Sequence, residues 1–273
     1  MTLYRPKTLT EAIELSIQPD SIPLAGGALT LPDLALTQST IVDIQDVEEL
    51  RLIDQGAGGA TFGAAIPLQT VLDWPSLPHA LRRALTRTIP SDLRTRLSLG
   101  ECLRFWQTPL LREWITVLMA HDIGIEVVNA DYVRVWDNIV DLIDNGRLDQ
   151  QFVTAINIAA LSEGEAVGAA YAASTPDTLP LVNAAAFIYL DPYGRVESEY
   201  IYVSGASAQP ITRIRLDTLT TYPLDSAHID AAVQAVPAQV DPVDDERASA
   251  EDRRKLALEV VQRALTDCME QLA

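Results

Sequence analysis

The feature that most constrains this chain is a short apolar run that breaks on two adjacent glycines. The run extends from Ile22 to Leu31 and reads Ile-Pro-Leu-Ala-Gly-Gly-Ala-Leu-Thr-Leu. Adjacent glycines allow positive φ angles, so successive backbone N–H groups can form an anion-binding nest. A plain turn from strand to loop is the alternative, because the spacing is not that of a Rossmann fingerprint and no phosphate-loop lysine is present. Both interpretations place a buried strand directly before Gly26.

The residues around the glycines predict alternating helices and strands. Thr8 and Glu11 have the spacing of a capping box, which predicts the start of an amphipathic helix. Ile22 to Ala25 then has the pattern of a short buried strand, and Thr40 to Ile44 that of another. In this order, Gly26 follows the carboxyl end of a strand, where α/β layers usually bind their ligands.

Charge excludes two classes of partner. The chain has 273 residues and a formal net charge of −18. Nucleic acids and anionic membrane surfaces require basic patches, so neither is an expected partner. The chain also lacks the roughly 20 consecutive apolar residues of a membrane span and the apolar run of a signal peptide. We therefore expect a cytoplasmic protein that binds a small molecule or another protein.

The number and spacing of the cysteines and histidines do not predict a metal site. Cys102 and Cys268 are too few and too far apart for a disulfide framework or an iron–sulfur cluster, which needs about four clustered thiolates. The histidines, His79, His121 and His228, are scattered and show no metal-ligand spacing. No Ser–His–Asp arrangement is visible either, so we predict no catalytic residues and no turnover of small organic substrates by the isolated chain.

The rest of the sequence predicts further strands, a linker and a last helix. Leu50 to Asp54 is a strand candidate, and Gly56 to Gly59 predicts the hairpin turn that follows it. Leu161 to Glu165 is polar and lacks apolar periodicity, which is typical of a linker. Ser249 precedes a long helical stripe of apolar residues, which indicates a C-terminal helix.

The first half of the sequence resembles the flavoprotein subunit of the molybdenum hydroxylases. The resemblance begins with the aromatic-x-Arg-Pro motif and short helix at Tyr4 to Ala12, and it continues through Ala25 to Gly27, Ile41 to Ile44 and Phe62 to Ala64. This family includes the medium subunit of carbon monoxide dehydrogenase and the flavin domain of xanthine dehydrogenase. The resemblance implies that the Ala-Gly-Gly loop lies on the pyrophosphate of FAD.

A second family motif is present in altered form. The family carries Arg-Asn-x-Ala-Thr-x-Gly-Gly-Asn, which closes over the FAD diphosphate, where this chain has the segment from Arg94 to Cys102. Three positions match or nearly match, and Thr95, Leu97, Glu101 and Cys102 depart. The resemblance implies a cofactor site formed by Ala25, Gly26, Gly27, Ala28, Leu29, Arg94, Ser98 and Gly100.

Resemblance in the second half sets the predicted domains. Pro176 to Asn183 is similar to the family's Pro-x-x-x-Pro-Leu-Val-Asn segment, and Gly205 to Pro210 is similar to a family bend. We therefore predict an α+β protein with an FAD-binding-type domain at residues 1–160, made of two α/β subdomains at about 1–55 and 56–160. A C-terminal domain of the carbon monoxide dehydrogenase flavoprotein type follows at residues 166–273, with an antiparallel sheet packed on helices.

Two functions remain open from the sequence. The resemblance implies an FAD-binding electron-transfer subunit that works with a molybdopterin-binding subunit and a two-iron–two-sulfur subunit, and a homodimer is also possible. The alternative is a flavin-free scaffold or interaction subunit. Glu101 supports this alternative, because a carboxylate about 4 Å from a phosphate costs on the order of 4 kcal/mol if it points inward. The bulky pair Phe105 and Trp106, which could fill the volume of a flavin, also supports it.

Overall fold

The computed structural model describes residues 2–30, 40–129, 131–148, 151–175 and 178–273. Leu31 and Pro176, which belong to segments considered above, lie outside the described residues. The chain forms two compact units, each built from more than one stretch of sequence. The first unit contains the residues up to Pro78 together with Leu85–Trp106 and Asp122–Ala160. The second unit contains His79–Ala84, Gln107–His121 and Leu161–Ala273.

A small parallel sheet opens the first unit. Its strands have the order β1-β3-β2, and helix α1 lies between the first two strands in sequence. Thr8 caps α1, because its hydroxyl oxygen accepts a hydrogen bond from the backbone N–H of Glu11 at 3.2 Å. The bounds of these elements are β1 Thr2–Tyr4, α1 Leu9–Ser16, β2 Ser21–Leu24 and β3 Thr40–Asp43.

A five-stranded antiparallel sheet forms the rest of the first unit. Its strand order is β4-β5-β8-β6-β7, and β4 and β5 form a hairpin in which Gly56 pairs with Gly59. Short helices connect β5 to β6 and β7 to β8. The elements along this part of the chain are β4 Ile53–Gly56, β5 Gly59–Gly63, α2 Leu68–Asp73, α3 His79–Thr88, α4 Ser91–Arg94, α5 Leu99–Arg104, α6 Arg112–Ala120, β6 Gly124–Val128, β7 Arg134–Asn138, α7 Ile139–Asp144 and β8 Phe152–Ala159. Of these, α6 and the start of α3 belong to the second unit.

The second unit is a four-stranded antiparallel sheet with helices packed against it. Its strand order is β12-β11-β10-β9. The long helix α9 packs on β9 and β10, and α6 packs on β10 and β11. The elements are β9 Glu165–Ala172, β10 Val182–Leu190, β11 Val196–Ser204, β12 Ile211–Ile214, α8 Ser226–Ala232, a 3-10 helix at Val233–Ala238 and α9 Ala250–Leu272.

The predicted fold class is confirmed, with one local correction. Both the parallel layer before the glycines and the C-terminal antiparallel sheet are present, and they belong to separate sheets. The predicted strand from Leu50 to Asp54 is wrong at its start, because Glu48–Arg51 is a 3-10 helix and β4 begins at Ile53. That helical turn buries Leu50 completely, while its charged neighbours stay exposed. None of the described helices combines the length and the apolar character that a membrane crossing requires.

Candidate functional site

The paired glycines lie in a sharp turn directly after β2. Gly26 has φ +88° and Gly27 has φ +74°, so both occupy the left-handed region that favours glycine. A Cβ atom at Gly26 would lie 1.7 Å from the backbone oxygen of Arg96, which leaves no room for a side chain. We call residues 25–30 the glycine loop. Its backbone turns so that consecutive N–H groups after Gly27 point towards one acceptor.

The acceptor at the glycine loop is the carboxylate of Glu101. Its Oε1 atom accepts hydrogen bonds from the backbone N–H groups of Leu29 and Thr30, both at 2.8 Å, and from the Thr30 hydroxyl at 2.9 Å. Its Oε2 atom accepts a longer one from the N–H of Ala28 at 3.3 Å. Three successive N–H groups around one carboxylate make an anion-binding nest. The glycine loop therefore binds an anion that belongs to the chain itself.

The Glu101 carboxylate belongs to the first turn of helix α5. Ser98 caps the helix, since its side-chain oxygen accepts from the N–H of Glu101 at 3.2 Å. The sequence Ser98-Leu99-Gly100-Glu101 is a capping-box pattern, in which the glutamate usually reaches back to the N–H of the capping residue. Here the side chain of Glu101 instead extends to the glycine loop. It is only 6% exposed, so its charge depends on these hydrogen bonds for solvation.

The start of α5 offers few donors to an external phosphate. The N–H of Gly100 donates to the backbone oxygen of Ala64 at 2.8 Å, and the N–H of Leu99 donates to that of Ile66 at 2.9 Å. The N–H of Glu101 is taken by the serine cap. Three consecutive N–H groups at this helix start thus have acceptors within the first unit.

The predicted cofactor-binding residues separate into two groups. Ala25, Ser98 and Gly100 line one small cavity together with Glu101, and the rest of the glycine loop adjoins them. Arg94 contacts a different place, because its guanidinium donates to Gln69 Oε1 at 3.1 Å and to backbone oxygens at the end of α3. These contacts are typical of an arginine that fastens a helix terminus.

The cavities beside the glycine loop are limited in size. The one lined by Ala25, Gly100 and Glu101 has a volume of about 30 Å³, which is enough for about one water molecule. A more open groove of about 360 Å³ lies against Gly26 and Arg96. Because Glu101 holds the donors of the nest, the residues present do not fit an FAD diphosphate on this loop. An anion could bind there only after the carboxylate left.

Cys102 and Trp106, which lie close to Glu101 in sequence, are both buried. Cys102 is fully buried, and burial, followed by the neighbouring charge of Glu101, raises the pKa of its thiol well above the usual value. Trp106 is 8% exposed. That Phe105 and Trp106 fill the volume of a flavin stays a prediction. Within the described residues, no three His, Cys, Asp or Glu side chains are grouped as metal ligands would be.

Sequence reasoning found the loop and the departure at Glu101, but it did not find the contact between them. The capping-box spacing of Ser98 and Glu101 was the available signal, since it fixes the glutamate in the first turn of a helix. The partner residues of the carboxylate are 71 to 73 positions away in the sequence. No local pattern indicates a contact at that separation.

Comparisons with known proteins identify two family domains in the chain. Residues 1–158 match the model of the FAD binding domain in molybdopterin dehydrogenase, and residues 170–268 match that of the CO dehydrogenase flavoprotein C-terminal domain. No curated protein matches the chain.

Solved structures share the fold over nearly the whole chain. A carbon monoxide dehydrogenase from Hydrogenophaga pseudoflava is similar with a TM-score of 0.83 and 19% identity, over 100% of this chain and 98% of that one. Quinoline 2-oxidoreductase from Pseudomonas putida 86 gives 0.81 and 20%, again over 100% and 98%. Carbon monoxide dehydrogenase from Oligotropha carboxidovorans gives 0.75 and 19%, over 98% of each chain.

The similarity to solved structures shows the fold alone. The match to the FAD binding domain shows the family, because it covers more than half of the chain. The C-terminal match accounts for most of the remainder. The chain therefore belongs to the family of FAD-binding subunits of the molybdenum hydroxylases.

Proposed function

We propose that this chain is the flavoprotein-type subunit of a molybdenum hydroxylase-type oxidoreductase, with a molybdopterin-binding subunit and a two-iron–two-sulfur subunit as partners. The observation that carries the proposal is that both family domains are present in the family's order, one after the other. In members that hold FAD, such a subunit passes electrons between the iron–sulfur partner and an external acceptor. Electron transfer is thus the first candidate role, and its chemistry would come from the cofactor.

A flavin-free role as a scaffold or interaction subunit is the second candidate. One observation favours it, namely the carboxylate of Glu101 on the N–H groups of Ala28, Leu29 and Thr30. A carboxylate and a phosphate compete for the same donors and also repel each other. In the conformation described, the N–H groups of Ala28, Leu29 and Thr30 are therefore not available to the diphosphate of FAD.

FAD titration followed by flavin fluorescence decides between the two roles. Wild type should bind FAD weakly, and the double change Glu101→Gly with Cys102→Asn should strengthen binding by up to roughly a thousandfold, because it removes a repulsion of about 4 kcal/mol. Glu163→Gly, which removes an exposed carboxylate from a turn, is the matched control and should bind as wild type does.

Each result of the titration has a defined meaning. Tight binding by wild type would support the electron-transfer role and would require Glu101 to leave the glycine loop in solution. Weak binding by wild type with recovery in the double variant would support the flavin-free role. Absence of binding by both would place the obstacle at Phe105 and Trp106. Co-purification with the two partner subunits after joint expression tests the assembly itself.

A further inference from the structure

A second cluster of charged residues lies wholly within the second unit. It surrounds a cavity of about 270 Å³ at the start of α6 and the adjacent ends of β10 and β11. That volume is just below the range of about 300 to 1,000 Å³ for sites of drug-sized ligands, so it suits a smaller molecule. The lining residues that carry the argument are Pro109, Arg112, Asn183, Asp245, Arg247 and Arg253.

The cavity is positively charged in a strongly acidic chain. Three guanidinium groups line it, against one carboxylate, that of Asp245. Hydrogen bonds, first from the Arg253 side chain and then from the backbone N–H groups of Ala248 and Arg247, lower the pKa of Asp245 to about 2, so this single negative charge is permanent near neutral pH. Two positive charges are left without a carboxylate among the lining residues.

The three arginines differ in how many donors they have left. Arg253 is 6% exposed and makes three hydrogen bonds, since it donates to Asp245 at 2.6 Å and to the backbone oxygens of Leu181 and Gly205 at 2.9 and 2.7 Å. Arg247 donates through one nitrogen to neutral backbone oxygens. Arg112 makes one long contact of 3.4 Å, from Nε to the backbone oxygen of Gln107. Arg112 and Arg247 therefore keep N–H groups for a ligand.

Arg112 carries an electrostatic penalty at this position. Burial, followed by the charges of Arg253 and Arg247, lowers the pKa of its guanidinium below the usual value. An anion within the cavity would relieve both effects, because it would solvate the half-buried cation and screen it from the other two. Arg112 also begins helix α6, which has no side-chain cap in the described structure.

A buried amide adds an independent requirement. Asn183 is 3% exposed, and its Nδ2 donates to Ser204 Oγ at 2.7 Å. Its Oδ1 has no hydrogen-bond partner among the described residues. A buried acceptor without a partner costs about 1 to 3 kcal/mol, so a ligand that donates a hydrogen bond here would gain affinity.

We infer that this cavity binds a small organic anion that carries a hydroxyl group beside a carboxylate or phosphate. Arg112 and Arg247 would bind the anionic oxygens, because guanidinium groups match carboxylate and phosphate in a bidentate manner. The hydroxyl would donate to Asn183 Oδ1. No feature of the sequence indicated this site, since its residues come from three distant segments.

Isothermal titration of the full-length chain at constant ionic strength tests the inference. The probes are malate and glycerol 3-phosphate, which separate the carboxylate from the phosphate source, and succinate, which resembles malate without its hydroxyl. We expect at least one hydroxylated probe to bind with a dissociation constant below about 1 mM. Malate should bind more tightly than succinate.

Variants locate the binding. Arg112→Gln should weaken binding at least tenfold, and Arg247→Gln, at an exposed side chain, gives a second test that does not depend on the packing of α6. Arg134→Gln removes an exposed arginine of the first unit and should bind as wild type does. Absence of binding by both hydroxylated probes, measurable binding of malate and succinate with equal affinity, or unchanged affinity in Arg247→Gln would overturn the inference.

Discussion

Two buried polar side chains, Glu101 and His121, differ in their hydrogen-bond partners. The carboxylate of Glu101 accepts hydrogen bonds from three backbone N–H groups and a hydroxyl. The Nε2 atom of His121 has no partner among the described residues, and burial lowers the pKa of the imidazole to about 4. Glu101 is thus buried as a satisfied charge, whereas His121 is kept neutral.

The free energy of unfolding below pH 6.5 should depend on His121. The folded protein holds this imidazole neutral, and the unfolded chain binds a proton below its ordinary value of 6.5, so stability falls as pH drops from 6.5 towards 4. Each pH unit in this window is worth about 1.4 kcal/mol, which gives about 2 kcal/mol at pH 5. In His121→Leu, the free energy of unfolding, measured with urea at pH 7.5 and 5, should lack this part of the pH dependence.

His79→Gln is the control for the histidine experiment, since His79 is exposed. Its unfolding free energy should change with pH as that of wild type does. An equal loss of stability in wild type and His121→Leu between the two pH values would show that the imidazole is solvated in the folded state.

In the C-terminal domain, helix α9 packs closely against strand β9. Gly168 lies where the helix approaches the strand, and a Cβ atom there would lie 2.0 Å from the backbone oxygen of Ala264. The N–H of Gly168 donates to Cys268 Sγ at 3.0 Å, and that thiol contacts the backbone oxygen of Ala186 at 3.2 Å. The helix therefore rests directly on the strand backbone.

Gly168→Ala should separate this helix from the sheet. The added methyl group overlaps backbone atoms that cannot move independently, so we expect a loss of about 1 to 3 kcal/mol in the free energy of unfolding. Gly56→Ala is the matched control, because no heavy atom lies within 4 Å of its Cβ position. Equal urea midpoints for the two variants would contradict the close approach.

At the scale of the whole molecule, the chain builds two units with separate cores. One core includes Val42, Leu50 and Phe152, and the other includes Val182, Ile201 and Leu265. Segments His79–Ala84 and Gln107–His121 belong with the C-terminal sheet, although Asp122–Ala160 of the first unit follows both of them in sequence. Both described units lack a grouped set of metal ligands.

We expect the isolated chain to show no oxidase or dehydrogenase turnover with purines, aldehydes or carbon monoxide. Such reactions need redox centres or a positioned acid and base, and the sequence predicts no acid–base pair. An assay with a dye acceptor, with and without added FAD, measures this. Steady substrate-dependent reduction by the purified chain alone would contradict the expectation.

Much of the local structure could be predicted from the sequence because its signals are local. Capping residues Thr8 and Ser249 begin helices where predicted, and the turn at Gly56 to Gly59 joins two strands. The paired glycines indicated either a nest or a plain turn after the strand, since glycine adopts positive φ angles without strain. Family motifs gave the fold class for the same reason, because they are short and contiguous.

The occupant of that nest was decided by the tertiary structure alone. Sequence showed that Glu101 departs from the family pattern, but the direction of its side chain depends on how α5 lies against the glycine loop. The charged cavity likewise joins Arg112 to Arg247 and Arg253, which are far away along the chain. Hydrogen-bond spacing and backbone preference act over a few residues, whereas contacts between distant residues exist only once the cores have packed.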